Sequence, residues 1–445
     1  MIAATLAGFL LLQPAGAQDA STISVISPPL ELTLEKAIAL GLEHNLDIDL
    51  AQERLEGLEA LRRQAIGAAA PSLNLASIYN RNFKKPSFFL AGQSITAGSD
   101  NSMRHAFSLQ QYLFAGGSVS EGMKAARLGV EGGRAQVRAA REDVALAVKR
   151  FFYAVCLASE TVSIQRDSLS LAEDHLRTIA ERYQQGLDSD LALLRQKVEV
   201  ANAQPALVAA RNAHEISLTL LKDTLGLDVD APVRLQGGLE GPRVALAPYE
   251  SLQAAALERN PDYQAARKQI EQSEAMVKVA EGGRWPIISL YADYQWYSET
   301  NHSWPGPNER AASSVGGLRL NYPFFTGGQT SAKIAQARAQ RDQARTALEK
   351  IARAIRVEVK REWLAVREAL ERAQSQESAI SEARRALEAT EVRYREGLAS
   401  LLEQNDATLA LQQTRLLYAN ALHDYRAALA ALERAAGILV EEVVR

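Results

Sequence analysis

The chain of 445 residues carries the same ordered set of residues twice. This internal repeat constrains the fold strongly, because each copy is expected to form the same structural unit. In the first part of each copy, matching residues lie 215 positions apart. The matching pairs are Ala39 and Ala254, Leu42 and Leu257, Glu43 and Glu258, Asn45 and Asn260, Pro71 and Pro286, and Leu75 and Leu290.

The separation between matching residues falls to 211 positions in the second part of each copy. The matching segments are Leu109 and Leu320, Phe114-x-Gly116-Gly117 and Phe325-x-Gly327-Gly328, Arg182-Tyr183-x-x-Gly186 and Arg393-Tyr394-x-x-Gly397, and Gly226 and Gly437. The change in separation falls between residues 76 and 108, where Lys, Pro, Gly and Ser residues are typical of a loop. Two copies of one unit are expected to differ in length in such a loop.

Each copy is predicted to contain one helix followed by two strands. The helix covers about residues 34–67 in the first copy and 249–282 in the second. Apolar and polar residues then alternate with a period of two, most clearly over 288–297 and 318–324, which is typical of strands. The weaker counterparts in the first copy lie at 73–80 and 107–113. The chain therefore has four candidate strands, each about as long as the roughly 9 to 11 residues of a tilted outer-membrane strand.

A long helix is predicted after the second strand of each copy. No proline occurs over 118–185 or 329–396, and apolar residues recur at steps of three, four and seven. At a rise of 1.5 Å per residue, a helix of this length spans about 100 Å. Gly186 and Gly397 are expected to end these helices, each after a basic turn, and a second helix then returns along the first. The sequence thus predicts two helical hairpins with their tips at one end.

The N-terminus and the segment between the copies contain recognisable signals. The apolar segment 2–12 followed by Ala15-Gly16-Ala17 is typical of a signal peptide for export. The Gly and Pro residues of 232–248 indicate a linker. The predicted organisation is a signal peptide at 1–17, a first repeat at 18–231, the linker at 232–248, a second repeat at 249–438 and a C-terminal tail at 439–445.

The composition and motifs exclude several classes of function. A formal net charge of −3 gives no excess of Lys and Arg for binding nucleic acid. The six histidines show no metal-ligand spacing, and the chain has no glycine-rich phosphate loop or nucleophile elbow. We therefore predict no metal, no cofactor and no enzymatic activity. The single cysteine, Cys156, is predicted to be a buried apolar residue.

Apart from the N-terminal segment, no run of about 18 apolar residues is present, so a membrane crossing would have to use the strands. Four strands are too few to close a barrel, since the smallest ordinary barrels have about eight. The N–H and C=O groups at the open edges of a four-stranded sheet would be unpaired in lipid. The chain is therefore expected to oligomerise. The alternative is a periplasmic coiled-coil scaffold or adaptor protein without a pore, which leaves the four strands unexplained.

The doubled helix-strand-loop-strand-helix unit, the aromatic-Gly-Gly strand exits and the Arg-Tyr-x-x-Gly-x-x-Ser tips resemble those of TolC-like outer-membrane efflux proteins. The resemblance covers the mature chain and implies a mainly α fold with a small β part. It implies a homotrimer in which four strands per protomer form a shared, twelve-stranded transmembrane β-barrel and the long antiparallel hairpins form an α-barrel. The implied partners are outer-membrane lipid, a periplasmic adaptor (membrane fusion) protein and an inner-membrane pump of a tripartite efflux or type I secretion system.

The tips and the strand exits provide candidate site residues. The tips are expected to contact the adaptor, although the same residues could act as turn formers alone. They are Arg182, Tyr183, Gly186, Ser189, Arg393, Tyr394, Gly397 and Ser400. Ser189 and Ser400 are placed to cap the returning helices. The strand-to-helix turns contain Gly116, Gly117, Gly327 and Gly328.

The resemblance also implies an aperture and its closure. Glu403 and Asp406 stand three residues apart after the second tip, and acids at these positions line the periplasmic constriction in the resembled family. The alternative is that both are ordinary solvated acids. Ala192 occupies a position where that family often has an acid that hydrogen-bonds to Tyr394, so this lock is expected to be absent. The segments 84–103 and 299–312 are expected to be loops outside the cell.

Overall fold

The structure, a computed structural model, describes residues 30–85, 87–240, 246–304 and 306–437. The predicted signal peptide and C-terminal tail lie outside the described residues. The first copy comprises β1 Leu30–Leu32, α1 Leu34–His44, α2 Leu46–Gly67, β2 Ser72–Arg81, β3 Ser87–Leu90, β4 Gln93–Thr96, β5 Asn101–Ala115, α3 Ser118–Gln184 and α4 Asp190–Thr224. The second comprises, after β6 Val233–Leu235, α5 Tyr249–Arg259, α6 Pro261–Gly282, β7 Ile287–Thr300, β8 Arg310–Asn321, α7 Gln329–Arg395 and α8 Leu401–Ala436. The predicted mainly α fold with a small β part is confirmed.

The first helix of each copy is broken near its start, so the prediction of one continuous helix was wrong. Asn45 has an extended backbone between α1 and α2, and its side chain accepts a hydrogen bond of 2.9 Å from the Asp47 amide. Asn260 separates α5 from α6 and caps the Asp262 amide at the same distance. The break arises because the asparagine side chain satisfies an amide that otherwise has no partner at a helix start.

The helices α3 and α7 each contain 67 residues, as the proline-free segments predicted. At 1.5 Å per residue each is about 100 Å long. Each forms an antiparallel hairpin with its following helix, α4 or α8. Pro205 lies inside α4, where it removes one backbone donor without ending the helix. Among the described residues, no helix is both long and apolar enough to cross a membrane.

The strands β2, β5, β7 and β8 form one antiparallel sheet in that order, which confirms the four predicted strands. The two copies meet in this sheet, because β5 of the first copy pairs with β7 of the second. The outer edges of β2 and β8 have no strand partner among the described residues. Within the predicted loop 84–103, β3 and β4 pair as a small hairpin, which the sequence did not predict. In the predicted linker, β6 pairs in parallel with β1.

Each copy has its own apolar core around the middle of its long helix, where the short helix α1 or α5 packs against α3 or α7. In the first copy, Val148, Val155 and Leu221 are almost completely buried between α1, α3 and α4. In the second copy, Val359 and Leu432 occupy the corresponding places on α7 and α8. Cys156 lies in the first core, as predicted, and burial raises the pKa of its thiol to about 11. The thiol is therefore protonated and acts as an apolar residue.

An ion cluster joins the two copies beside these cores. The Arg434 side chain on α8 is only 13% exposed, and its Nε lies 2.7 Å from Asp143 Oδ1 on α3. Its Nη2 lies 2.9 Å from Asp262 Oδ2 on α6, and its Nη1 lies 3.4 Å from Glu142 Oε2 on α3. The guanidinium thus fixes three helices from two copies at one point, because its planar donors can serve several carboxylates at once.

Candidate functional site

One face of the sheet is apolar and exposed. The strand register places Leu75, Phe107 and Tyr294 in one row across β2, β5 and β7. Leu290 and Leu318 form another row across β7 and β8, and the exposed fraction of Leu318 is 68%. Rows of exposed apolar side chains are costly in water and favourable against hydrocarbon. The alternation read from the sequence therefore produces a surface suited to lipid.

The opposite face of the sheet is polar. The same register aligns Asn74, Ser108 and Asp293, and on the next row Gln295 donates a hydrogen bond of 2.8 Å to Ser313. Apolar and polar residues alternate between the two faces because successive side chains of a strand point in opposite directions. A sheet with one lipid-compatible face and one polar face is the arrangement found in transmembrane barrels with a wet interior.

The predicted glycines lie at the turns that connect the sheet to the long helices. Gly117 and Gly328 precede α3 and α7 with φ values of 80° and 85°. Gly116 has a φ of +61°, and an added Cβ would lie 2.4 Å from the Gly282 carbonyl oxygen. Gly327 has a φ of +57°, but an added Cβ would meet no atom within 4 Å. The two turns thus have similar backbones and very different surroundings.

The two tips have the same backbone geometry. The Leu187 amide donates to the Arg182 carbonyl at 2.9 Å, and the Leu398 amide donates to the Arg393 carbonyl at 2.7 Å. Between them Gly186 and Gly397 have φ values of 73° and 76°, with open space around both. These two glycines are needed for their backbone conformation and not for close packing. As predicted, the Ser189 and Ser400 side chains cap α4 and α8.

The tips are joined by a cluster that we call the tip clasp, formed by Arg182, Asp188 and Tyr394. Arg182 Nε donates to Asp188 Oδ2 at 2.9 Å, and the Tyr394 hydroxyl donates to the same oxygen at 3.1 Å. The Arg182 guanidinium also lies 5.3 Å from the centre of the Tyr394 ring. A lock from an acid at position 192 is absent, because that residue is alanine, but Asp188 supplies an acid for Tyr394 from a different position, which was not predicted.

The clasp makes the two repeats unequal at their tips. Tyr394 is 6% exposed, whereas its counterpart Tyr183 is 42% exposed. Burial, together with the charge of Asp188, raises the pKa of Tyr394 to about 12, so the hydroxyl remains a donor at physiological pH. Arg393 donates at 3.2 Å to the Leu398 carbonyl of its own tip and does not take part in the clasp. The sequence feature that distinguishes the two tips is Asp188, because the second copy has Ala399 at the matching position.

The candidate aperture acids are both exposed on α8. Glu403 Oε1 accepts a hydrogen bond of 3.2 Å from Ser400 Oγ, so this carboxylate lies at the start of the helix. Asp406 borders a groove of about 780 Å³ between α3, α4 and α8, together with Asn405 and Leu409. The structure therefore places both acids near the tip, on the surface of one protomer.

Comparisons with known proteins agree with this geometry. A family model described as outer membrane efflux protein matches residues 37–227 and 252–438, one segment in each copy. The outer membrane protein TolC of Vibrio cholerae is 22% identical over 310 residues, covering 69% of this chain and 71% of that protein. The alkaline protease secretion protein AprF of Pseudomonas aeruginosa is 24% identical over 431 residues, covering 92% of this chain and 87% of that protein.

The fold is also similar to that of solved outer-membrane proteins. The crystal structure of VceC from Vibrio cholerae superposes with a TM-score of 0.76 at 20% sequence identity, covering 91% of this chain and 96% of that one. The lipid-compatible sheet and the long helical hairpins thus agree with the family model that matches both copies. The chain belongs to the outer membrane efflux protein family and is a non-enzymatic outer-membrane channel whose long helices extend into the periplasm.

Proposed function

We propose that three copies of the chain assemble into one passive exit duct. The observation that carries this proposal is the four-stranded sheet, whose outer strands β2 and β8 have no strand partner among the described residues. In lipid the backbone groups on these edges require hydrogen-bond partners, and pairing β8 of one copy with β2 of the next supplies them. Three copies give a twelve-stranded barrel, and their hairpins form a tube of twelve helices below it.

The proposed duct works as part of a larger assembly. Members of this family operate with a periplasmic adaptor and an inner-membrane pump, so we assign the tips as the adaptor-facing end. The two tips are the part of each protomer farthest from the sheet along the helices of 67 residues. Cargo would enter at this end, pass through the helical tube and leave through the barrel. The duct serves a tripartite efflux pump or a type I secretion system.

The trimer is tested by mass. Native mass spectrometry of the protein extracted in mild detergent is expected to give three chains per particle, and the particle should persist on dilution. Because barrel closure needs neighbouring copies, separation of the chains is expected to accompany loss of the barrel's β-sheet circular dichroism signal. A monomer that forms a closed pore by itself would contradict the shared barrel.

We further propose that Glu403 and Asp406 line the periplasmic end of the duct. Both carboxylates are exposed and lie on one helix close to the tip. Threefold symmetry would bring six carboxylates around one opening. Such a ring attracts cations and binds multivalent cations more strongly than monovalent ones.

Removing these charges is expected to change ion selectivity. In planar bilayers, the double variant Glu403→Gln with Asp406→Asn should reduce cation preference and weaken block by multivalent cations, because the ring loses its charge. Glu215→Gln is the matched control, since Glu215 is an exposed acid on α4 far from the tip. If the double variant and the control both kept the original selectivity and block, the constriction would lie elsewhere.

A further inference from the structure

A buried polar layer lies between the two hairpins above the tip clasp. It is formed by His175 on α3, Glu391 on α7 and Gln404 on α8, and we call it the polar layer. His175 is 8% exposed and Gln404 is 5% exposed. His175 precedes Arg182 by seven residues, so the layer lies about 10 Å from the clasp along α3. The layer therefore connects the same two hairpins as the clasp does.

The hydrogen bond in the polar layer defines the protonation state of the histidine. Gln404 Nε2 lies 2.9 Å from His175 Nε2. The amide nitrogen can only donate, so His175 Nε2 accepts, and the ring proton must lie on Nδ1. The imidazole in this arrangement is neutral. Among the described residues, the other amide atom, Gln404 Oε1, is buried and has no hydrogen-bond partner, so the bond to His175 is the one that holds this side chain.

Protonation of the ring would break this bond. A proton on His175 Nε2 would face the donor nitrogen of Gln404, and two donors cannot form a hydrogen bond. Glu391 Oε1 on α7 lies 3.6 Å from the same ring nitrogen, and its attraction for a charged ring opposes release of the hairpins but is smaller than the effect of burying the charge. The Gln404 amide would then be buried with no partner, which is unfavourable.

We propose that His175 is a positioning residue of the closed tip: its neutral ring holds Gln404, and with it α8, against α3, and protonation of the ring releases the two hairpins. This inference rests on the proposed function, because it requires a tip that closes the duct. It adds a pH-dependent element to the tip that is separate from the clasp and from the candidate aperture acids.

The direction of the pH effect follows from burial. Removal of the ring from water lowers the pKa of His175, and this effect exceeds the opposing attraction of Glu391 and then of Asp174. His175 also lines the groove of about 780 Å³ between α3, α4 and α8. The other charged groups that border this groove are Arg195 and Glu199 on α4 and Asp406 on α8. In an open tip the ring would be hydrated, with a pKa near the ordinary value of about 6.5. The closed state is therefore fully favoured above that pH and loses stability as the pH falls through it.

The test uses the full-length oligomer with two substitutions at one position. In His175→Gln the new side-chain oxygen can still accept from Gln404 but cannot titrate, so the tip should stay closed at all pH values. In His175→Leu no acceptor remains, so the tip should be loosened at all pH values. His214→Gln on α4 is the control, because the carboxylate 3.9 Å from His214 Nδ1 belongs to Glu215 on the same helix.

Two readouts are compared between about pH 7.5 and pH 5.5, on either side of the ordinary histidine pKa. The first is hydrogen–deuterium exchange of the tip segments 176–190 and 395–404 in detergent, corrected for the intrinsic pH dependence of exchange. The second is open probability in planar bilayers. In the wild type and in His214→Gln both should rise on acidification, by up to about tenfold for each unit by which closure lowers the pKa. In His175→Gln both should stay nearly constant.

Two results would overturn the proposal. One is a pH response of His175→Gln equal to that of the wild type. The other is tightening of the wild-type tip on acidification, which would mean that the charged ring binds Gln404 Oε1 after the amide turns over. If exchange changes as expected but the wild type conducts no current, the proposed duct is contradicted, and only the pH-dependent contact of His175 with the second hairpin is supported.

Discussion

Replacing Asp188 by alanine is expected to raise the single-channel conductance of the protein at neutral pH. Asp188 Oδ2 accepts from both Arg182 and Tyr394, and its side chain is only 12% exposed. Hydrogen bonds that involve a charged group contribute about 1.5–3 kcal/mol each. Loss of the bond from Tyr394, the one of the two that crosses to the second tip, shifts the balance between closed and open tips by about tenfold or more. Conductance in planar bilayers measures this shift.

Two further variants separate the clasp from a general effect of charge. Tyr394→Phe removes only the hydroxyl that donates to Asp188, so it should raise conductance in the same direction while keeping the bond between Arg182 and Asp188. Asp190→Asn is the matched control, because Asp190 is an exposed acid two residues away in the first turn of α4. Equal conductance in the wild type and in Asp188→Ala would show that the clasp does not keep the tip closed.

Replacing Gly116 by alanine is expected to prevent assembly of a stable channel. The new Cβ would lie 2.4 Å from the Gly282 carbonyl oxygen and 2.8 Å from the Trp285 Cβ. The residue also has a φ of +61°, which costs a non-glycine residue about 1–2 kcal/mol, and the overpacking adds about 1–3 kcal/mol or more. The measurement is the amount of oligomer that survives heating in detergent, read from gel mobility.

The second copy contains the matched control for this substitution. Gly327→Ala introduces the same methyl group at a φ of +57°, but no atom lies within 4 Å of it. It should therefore lose only the conformational contribution of about 1–2 kcal/mol and still assemble. If both variants assembled equally well, the contact between Gly116 and α6 would not be needed for the turn.

Much of the fold follows from patterns within one copy. Period-two alternation predicts the two faces of the sheet, and the absence of proline predicts α3 and α7, because both depend on local geometry. The break at Asn45 could also have been predicted, since an asparagine with an acid two residues later is typical of a helix start, and Pro261 follows Asn260 in the second copy. The β3–β4 hairpin was missed because its loop lacks clear alternation.

The candidate site could be predicted only in part, because the two copies use the same motif differently. The Arg-Tyr-x-x-Gly pattern predicts both turns. Of the two tyrosines, however, Tyr394 is buried and Tyr183 is exposed. Of the two arginines, Arg182 donates to a carbonyl of the other tip, whereas Arg393 donates within its own tip. These differences depend on how the two hairpins pack together, and a motif read within one hairpin carries no information about the other. The polar layer was missed for the same reason, since His175 and Gln404 are far apart in sequence.

The length of the hairpins turns a small tilt of α3 into a large movement at the tip. The apolar core that holds α3 ends near Val155, and the clasp begins at Arg182, so an arm of about 40 Å separates them. A tilt of only about 5° at the core would displace the end of such an arm by about 3.5 Å, which exceeds the length of a hydrogen bond. Small changes of packing near the middle of the hairpins are therefore enough to part the tips, and a small force applied at the tips produces a large torque at the core.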